Sequence, residues 1–91
     1  MGFTLYQTGI LPMLPKKLTF EEDGFTIEVL FHLLSKKYGE NALAGIFEPD
    51  GSMEENTLLV LNGVTIKPLQ VLHTVIPAES ELLITALIAG G

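Results

Sequence analysis

Phe25-Thr26-Ile27-Glu28-Val29-Leu30-Phe31-His32-Leu33-Leu34-Ser35-Lys36-Lys37-Tyr38-Gly39 is the stretch that decides the fold. Ile27, Leu30, Phe31, Leu34 and Tyr38 recur at i, i+3, i+4, i+7 and i+11, which is one stripe of an α-helix. Thr26 stands at the N-cap, where its hydroxyl can accept from an orphan amide of the first turn. Phe25 and Leu30 occupy the N′ and N4 positions of a hydrophobic staple. Gly39 supplies the stop, and Lys36 and Lys37 complement the negative end of the helix dipole. Val29 and Leu33 widen the apolar arc beyond what one sheet face covers, so either the following loop folds over them or they form a docking surface.

Strands flank this helix on both sides. Phe3 to Leu14 reads as a first strand running into Pro12 and Pro15, followed by a turn. Lys17-Leu18-Thr19-Phe20-Glu21 alternates with period two, placing Leu18 and Phe20 on a buried face and Thr19 and Glu21 toward water. Together they predict an opening hairpin, broken at Asp23-Gly24 before the helix. Beyond the helix, Glu40 to Asn56 reads as irregular and partly mobile, with Ala42 to Phe47 either a short helix or an anchored loop and Glu48 to Ser52 a turn. Thr57 to Leu61 is a dense strand, and Asn62-Gly63 predicts a type I′ turn into Val64-Thr65-Ile66. Lys67 to Val75 connects, with a turn of helix around Leu69 and Leu72. Pro77 to Glu81 forms a further turn, and Leu82 to Leu87 the last strand. The expectation is an α+β fold: one mixed sheet of about four to five strands with one main helix across one face.

Ninety-one residues make one domain, taken as 1–91 with a flexible tail from about 88 to 91. With 47% hydrophobic residues, a chain so short is expected to leave apolar surface exposed for a partner. The longest apolar runs fall far short of the roughly 18 residues of a membrane span, so no membrane partner is expected. No secretory signal is evident at the start, and the chain has no cysteine. That excludes disulfides, a thiol nucleophile and thiolate metal sites, and makes a cytoplasmic setting the expectation. Eleven acidic against five basic residues give a net charge of −6, the wrong sign for nucleic acid and suited to steering toward a basic protein partner.

Catalytic furniture is missing from the sequence. No phosphate-binding glycine loop is present, His32 and His73 lie in separate segments, and Glu54-Glu55 are adjacent in a loop rather than held across a cleft. No bound cofactor, no metal and no enzymatic activity of the chain's own are expected. The group of unusual chemical potential is at Ile88-Ala89-Gly90-Gly91: a terminal carboxylate on Gly91, carried by a glycine pair that lacks Cβ atoms and can enter a channel closed to side chains.

These residues resemble the β-grasp sulfur carriers, the ubiquitin relatives that include the small subunit of molybdopterin synthase and the thiazole-synthesis sulfur carrier. The resemblance is carried by Leu59-Val60-Leu61-Asn62-Gly63, by the acidic turn Pro77 to Glu81 before a last strand, by the Phe25-Thr26-Ile27 start of the helix, and by Ile88-Ala89-Gly90-Gly91. It implies a ubiquitin-like β-grasp domain that is a carrier rather than an enzyme. By resemblance, a ubiquitin-activating-type adenylating enzyme would use ATP to join AMP to Gly91, and a sulfur donor would convert the acyl-adenylate to a thiocarboxylate. Leu87, Ile88, Ala89 and Gly90 would enter the partner's channel as an extended strand. A sulfur-accepting synthase subunit would then take the sulfur. Thr85-Ala86-Leu87-Ile88 is closer to the thiazole type, while the length and the Glu40 to Asn56 insertion are closer to the molybdopterin type, which stands slightly ahead. Ala89 replaces the arginine that precedes Gly-Gly in ubiquitin, and the alternative, a modifier conjugated to protein lysines through Gly91, stays open.

Overall fold

A computed structural model describes residues 2–47, 53–54, 56 and 57–86. Its elements run β1 (Phe3–Gln7), β2 (Lys17–Phe20), α1 (Ile27–Tyr38), a 3₁₀ helix (Glu40–Ile46), β3 (Thr57–Leu61), β4 (Val64–Thr65), a second 3₁₀ helix (Pro68–His73) and β5 (Ser80–Ala86). The five strands form one sheet in the order β2-β1-β5-β3-β4. β1 and β5 are parallel neighbours, and every other pairing is antiparallel. The sheet is therefore mixed and carries one main helix, as the sequence predicts.

The period-two alternation of the central strands sorts their side chains onto two faces. Phe3 and Leu5 of β1, Leu59 of β3, and Leu82 and Ile84 of β5 are buried on one face. The register sets Leu5 beside Leu82 and Leu59 beside Ile84, so large side chains meet across neighbouring strands. Ile27, Leu30, Phe31 and Leu34 of α1 join the same core cluster, with Tyr38 half-buried at its margin. At the β2 side, Phe3 stacks on Phe20 with ring centroids 4.7 Å apart, and Phe25 meets Phe3 edge-on at 5.7 Å.

The helix ends are made as expected. The Thr26 hydroxyl accepts from the Val29 N–H at 3.3 Å, and the Gly39 N–H donates to the Ser35 carbonyl at 2.9 Å. Val29 and Leu33 are 41% and 43% exposed, and no loop among the described residues folds over them. The chain from Thr74 to Ile76 runs past the start of the helix and pins it: the Ile27 N–H donates to the Thr74 carbonyl, and the Ile76 N–H to the Phe25 carbonyl. At the hairpin, Asn62 and Gly63 have φ of 51° and 84°, both positive as a type I′ turn demands.

Three expectations need correction. The first strand ends at Gln7, not Leu14, because the Gln7 side chain turns the chain: its amide donates to the Leu11 and Leu14 carbonyls at 2.8 Å, and its carbonyl accepts from the Gly9 and Leu11 N–H groups. The last strand begins at Ser80, inside the segment read as a turn, because Ser80 and Glu81 already pair with Phe3 and Thr4. Of the two readings of Ala42 to Phe47 the short helix is the one observed, so the expected irregularity gives way over Glu40–Ile46 to a 3₁₀ helix whose Ala42, Leu43 and Ile46 are buried against the core. Phe47 bridges to Met53, and the turn read at Glu48 to Ser52 lies outside the described residues, as does Glu55.

Candidate functional site

β5 is the strand that leads to the end of the sequence, and it lies at the centre of the sheet between β1 and β3. Its start is clamped by the hairpin turn: the Asn62 side-chain carbonyl accepts from the Glu81 N–H at 2.9 Å, and the Asn62 N–H donates to the Glu81 carbonyl at 2.9 Å. Its far end is held as well, with Ala86 paired to Thr57 and the Thr8 and Thr85 hydroxyls bonded to each other at 2.9 Å. β5 is thus held by β1 through Ile84 and by β3 through Ala86. The candidate site residues Leu87, Ile88, Ala89, Gly90 and Gly91 lie outside the described residues.

The sheet face opposite α1 runs alongside this strand. Tyr6 of β1, Leu83 of β5, and Leu58 and Val60 of β3 are half-buried there, each one step out of phase with the core residues of its own strand. Val60 pairs with Leu83, and Tyr6 with Leu83, so the three form one continuous apolar strip. A shallow hollow of about 590 Å³ lies on this face, with Lys16, Lys17 and Glu81 at its rim. The Lys17 ammonium sits 5.9 Å from the centre of the Tyr6 ring. Apolar centre and charged rim are the anatomy of a protein-docking surface rather than of a reaction site. The sequence reading missed these residues individually, although the alternating pattern of β1 and β5 carries the signal.

The histidines are not brought together. His32 lies exposed on α1 beside Glu28, Ser35 and Glu40 in a groove against the first 3₁₀ helix, while His73 is exposed at the end of the second. Among the described residues, no group of three or more His, Asp or Glu side chains is placed to hold a metal ion. No helix among them is long and apolar enough to cross a membrane.

No protein-family model matches this chain, and no curated protein matches it by sequence. Solved structures do match. The crystal structure of SAMP1 from Haloferax volcanii superposes with a TM-score of 0.72 over 100% of both chains at 16% identity. The solution structure of small archaeal modifier protein 1 from Methanosarcina acetivorans gives 0.66 at 20% identity, over 99% of this chain and 96% of that one. The solution structure of Urm1 from Trypanosoma brucei gives 0.69 at 14% identity, over 99% and 95%. Likeness at such identities is one of fold, and it extends over the whole chain. With its mixed five-stranded sheet and crossing helix, this chain has the ubiquitin-like β-grasp fold.

Proposed function

We propose that this chain is a sulfur carrier whose acting form ends at Gly91. A ubiquitin-activating-type partner adenylates the Gly91 carboxylate: a carboxylate oxygen attacks the α-phosphorus of ATP and pyrophosphate leaves. A carboxylate is a poor electrophile, and the AMP ester supplies the leaving group that lets sulfur attack the carbonyl. Displacement of AMP by the sulfur donor gives the thiocarboxylate, which passes its sulfur to a synthase subunit in cofactor biosynthesis, with molybdopterin ahead of thiazole. ATP and sulfur donor belong to the partners, and this chain contributes the carried carboxyl and the surface by which it is gripped.

The observation that carries this reading is the position of β5. A central strand, paired to β1 through Ile84 and to β3 through Ala86, runs beside the Tyr6–Leu83–Val60 face and is followed in sequence by Leu87 to Gly91. A partner seated on that face can take the following residues as an extended strand, using backbone hydrogen bonds that ignore side-chain identity. The test is deletion of Gly91: adenylation by the partner, read as pyrophosphate release, is expected to vanish while thermal unfolding is unchanged. Undiminished adenylation of the truncated chain would end the proposal.

A second reading has its own support, because two of the matched structures are named as modifier proteins. In that reading the same acyl-adenylate is passed on to protein lysines. Conjugates joined through Gly91 distinguish it from the carrier.

A further inference from the structure

β2 is the outermost strand on its side of the sheet. The Gln7 N–H donates to the Lys16 carbonyl at 3.0 Å, just beyond the paired residues of β1 and β2. Alternation along an antiparallel ladder then makes Leu5–Leu18 and Phe3–Phe20 the hydrogen-bonded pairs, and Tyr6–Lys17 and Thr4–Thr19 the non-bonded ones. The N–H and C=O groups of Lys17 and Thr19 therefore point away from β1, along the open edge. An open edge is a template for another strand.

The strand on that edge is Lys17–Phe20, flanked by Lys16 before it and Glu21-Glu22 after it, which gives Lys16-Lys17-Leu18-Thr19-Phe20-Glu21-Glu22 along the edge and its flanks. Reversed against itself about Thr19, it sets Lys16 opposite Glu22, Lys17 opposite Glu21, Leu18 opposite Phe20, and Thr19 opposite itself. Every position meets a partner of opposite charge or like polarity. Moving the centre by one residue sets Lys16 against Phe20 or Leu18 against Glu22, so the register is specified by the side chains. It is also a parity the backbone allows, because Thr19, which would sit on the axis, and Lys17 belong to the outward-pointing set of β2.

Charged residues on an edge strand usually guard against pairing, and they do so by placing like charge against like. Here the two lysines lie at one end and the two glutamates at the other, so an antiparallel copy brings attraction instead. All four are exposed. On the α1 side of the edge lies a groove of about 540 Å³ formed by Leu18, Phe20, Phe25, Leu33 and Tyr38 with neighbouring charged side chains. Leu18 and Phe20 are only half-buried and Leu33 is 43% exposed. A second copy would continue the row of apolar side chains over this groove.

We propose that two copies of this chain pair antiparallel through β2, with a two-fold axis at Thr19, joining their sheets into one. The contact is isologous, as two-fold symmetry requires. It is also small, so the dimer forms reversibly at protein concentrations of about 10 μM to 1 mM. β5 lies inside the sheet, away from the seam, while Lys16 and Lys17 are shared between the seam and the rim of the outer-face hollow; the proposal does not depend on the carrier reading.

Sedimentation equilibrium of the full chain across that concentration range tests it. Lys16→Glu with Lys17→Glu is expected to weaken dimerisation by about tenfold or more, and Glu21→Lys with Glu22→Lys to do the same. The first pair of changes raises the net negative charge and the second lowers it, so general repulsion would move them in opposite directions. An equimolar mixture of the two variants should form a heterodimer, and the variant carrying all four changes should dimerise like the parent. Thr19→Pro, which removes an outward N–H and spares the ladder with β1, should abolish pairing with the circular dichroism of the fold retained. A parent chain monomeric throughout the range overturns the proposal. So does a dimer indifferent to the double variants, or a fourfold variant that stays monomeric; these readouts stand even where Thr19→Pro fails to fold.

Discussion

Gln7 shows how much one side chain can organise. It occupies a core position on β1, 5% exposed, yet it is polar and every donor and acceptor of its amide group is used by the loop from Gly9 to Pro15. That loop brings Leu11 and Leu14 back into the core. Gln7→Leu would fit the space but leave the Gly9 and Leu11 N–H groups and the Leu11, Leu14 and Pro15 carbonyls without these partners. A buried unsatisfied group costs about 1–3 kcal/mol, so the substitution is expected to lower stability by about 3 kcal/mol, measured by urea unfolding. A loss under about 1 kcal/mol would mean that the loop finds other partners. Nothing in the sequence marks Gln7, because its role depends on a turn that its own side chain creates.

At the scale of elements, the parts made by local interactions were legible and those made by distant ones were not. The helix is spelled out by its apolar spacing and both caps, and it forms over Ile27–Tyr38 with Thr26 and Gly39 in those roles. Thr26→Ala should cost about 0.5 kcal/mol, the low end for a cap because the bond is long and exposed, and thermal unfolding will measure it. Asn62-Gly63 was equally plain, since a type I′ turn needs only two residues of positive φ. By contrast, Glu40–Ile46 has too few turns to declare itself by periodicity. Its form is set by packing: a Cβ on Gly45 would come within 3.2 Å of the Ile10 carbonyl, a contact visible only once the β1–β2 loop is folded. The start of β5 was misplaced for the same reason, because Ser80 and Glu81 become strand by pairing with Phe3 and Thr4, far away in the chain. The candidate site followed this division: Leu87 to Gly91 could be named from the sequence, whereas the Tyr6–Leu83–Val60 face required the strand order.

For the whole molecule, the central position of β5 divides the labour. One sheet face is buried under α1 and gives stability, while the other is apolar at its centre and charged at its rim, and is available to a partner. Leu83→Glu places a charge in the middle of that strip without touching the core. Under the proposed function it is expected to raise the KM of an adenylating partner for this chain by about tenfold, as loss of a central interface contact does, with unfolding little changed. Equal kinetics for the variant would move the docking surface elsewhere on the fold. The net charge of −6 favours the approach of a basic partner to the chain as a whole, and such attraction weakens as salt is raised.

The most direct test of the carrier is intact-mass spectrometry of the 91-residue chain after incubation with its adenylating partner, ATP and a sulfur donor, with the Gly91 deletion in parallel. Exchange of one oxygen for sulfur in the full chain, absent from the deletion variant, is the predicted result. A full chain that stays at its original mass while the same partner activates other substrates, or that is recovered only as conjugates to lysines, would contradict it.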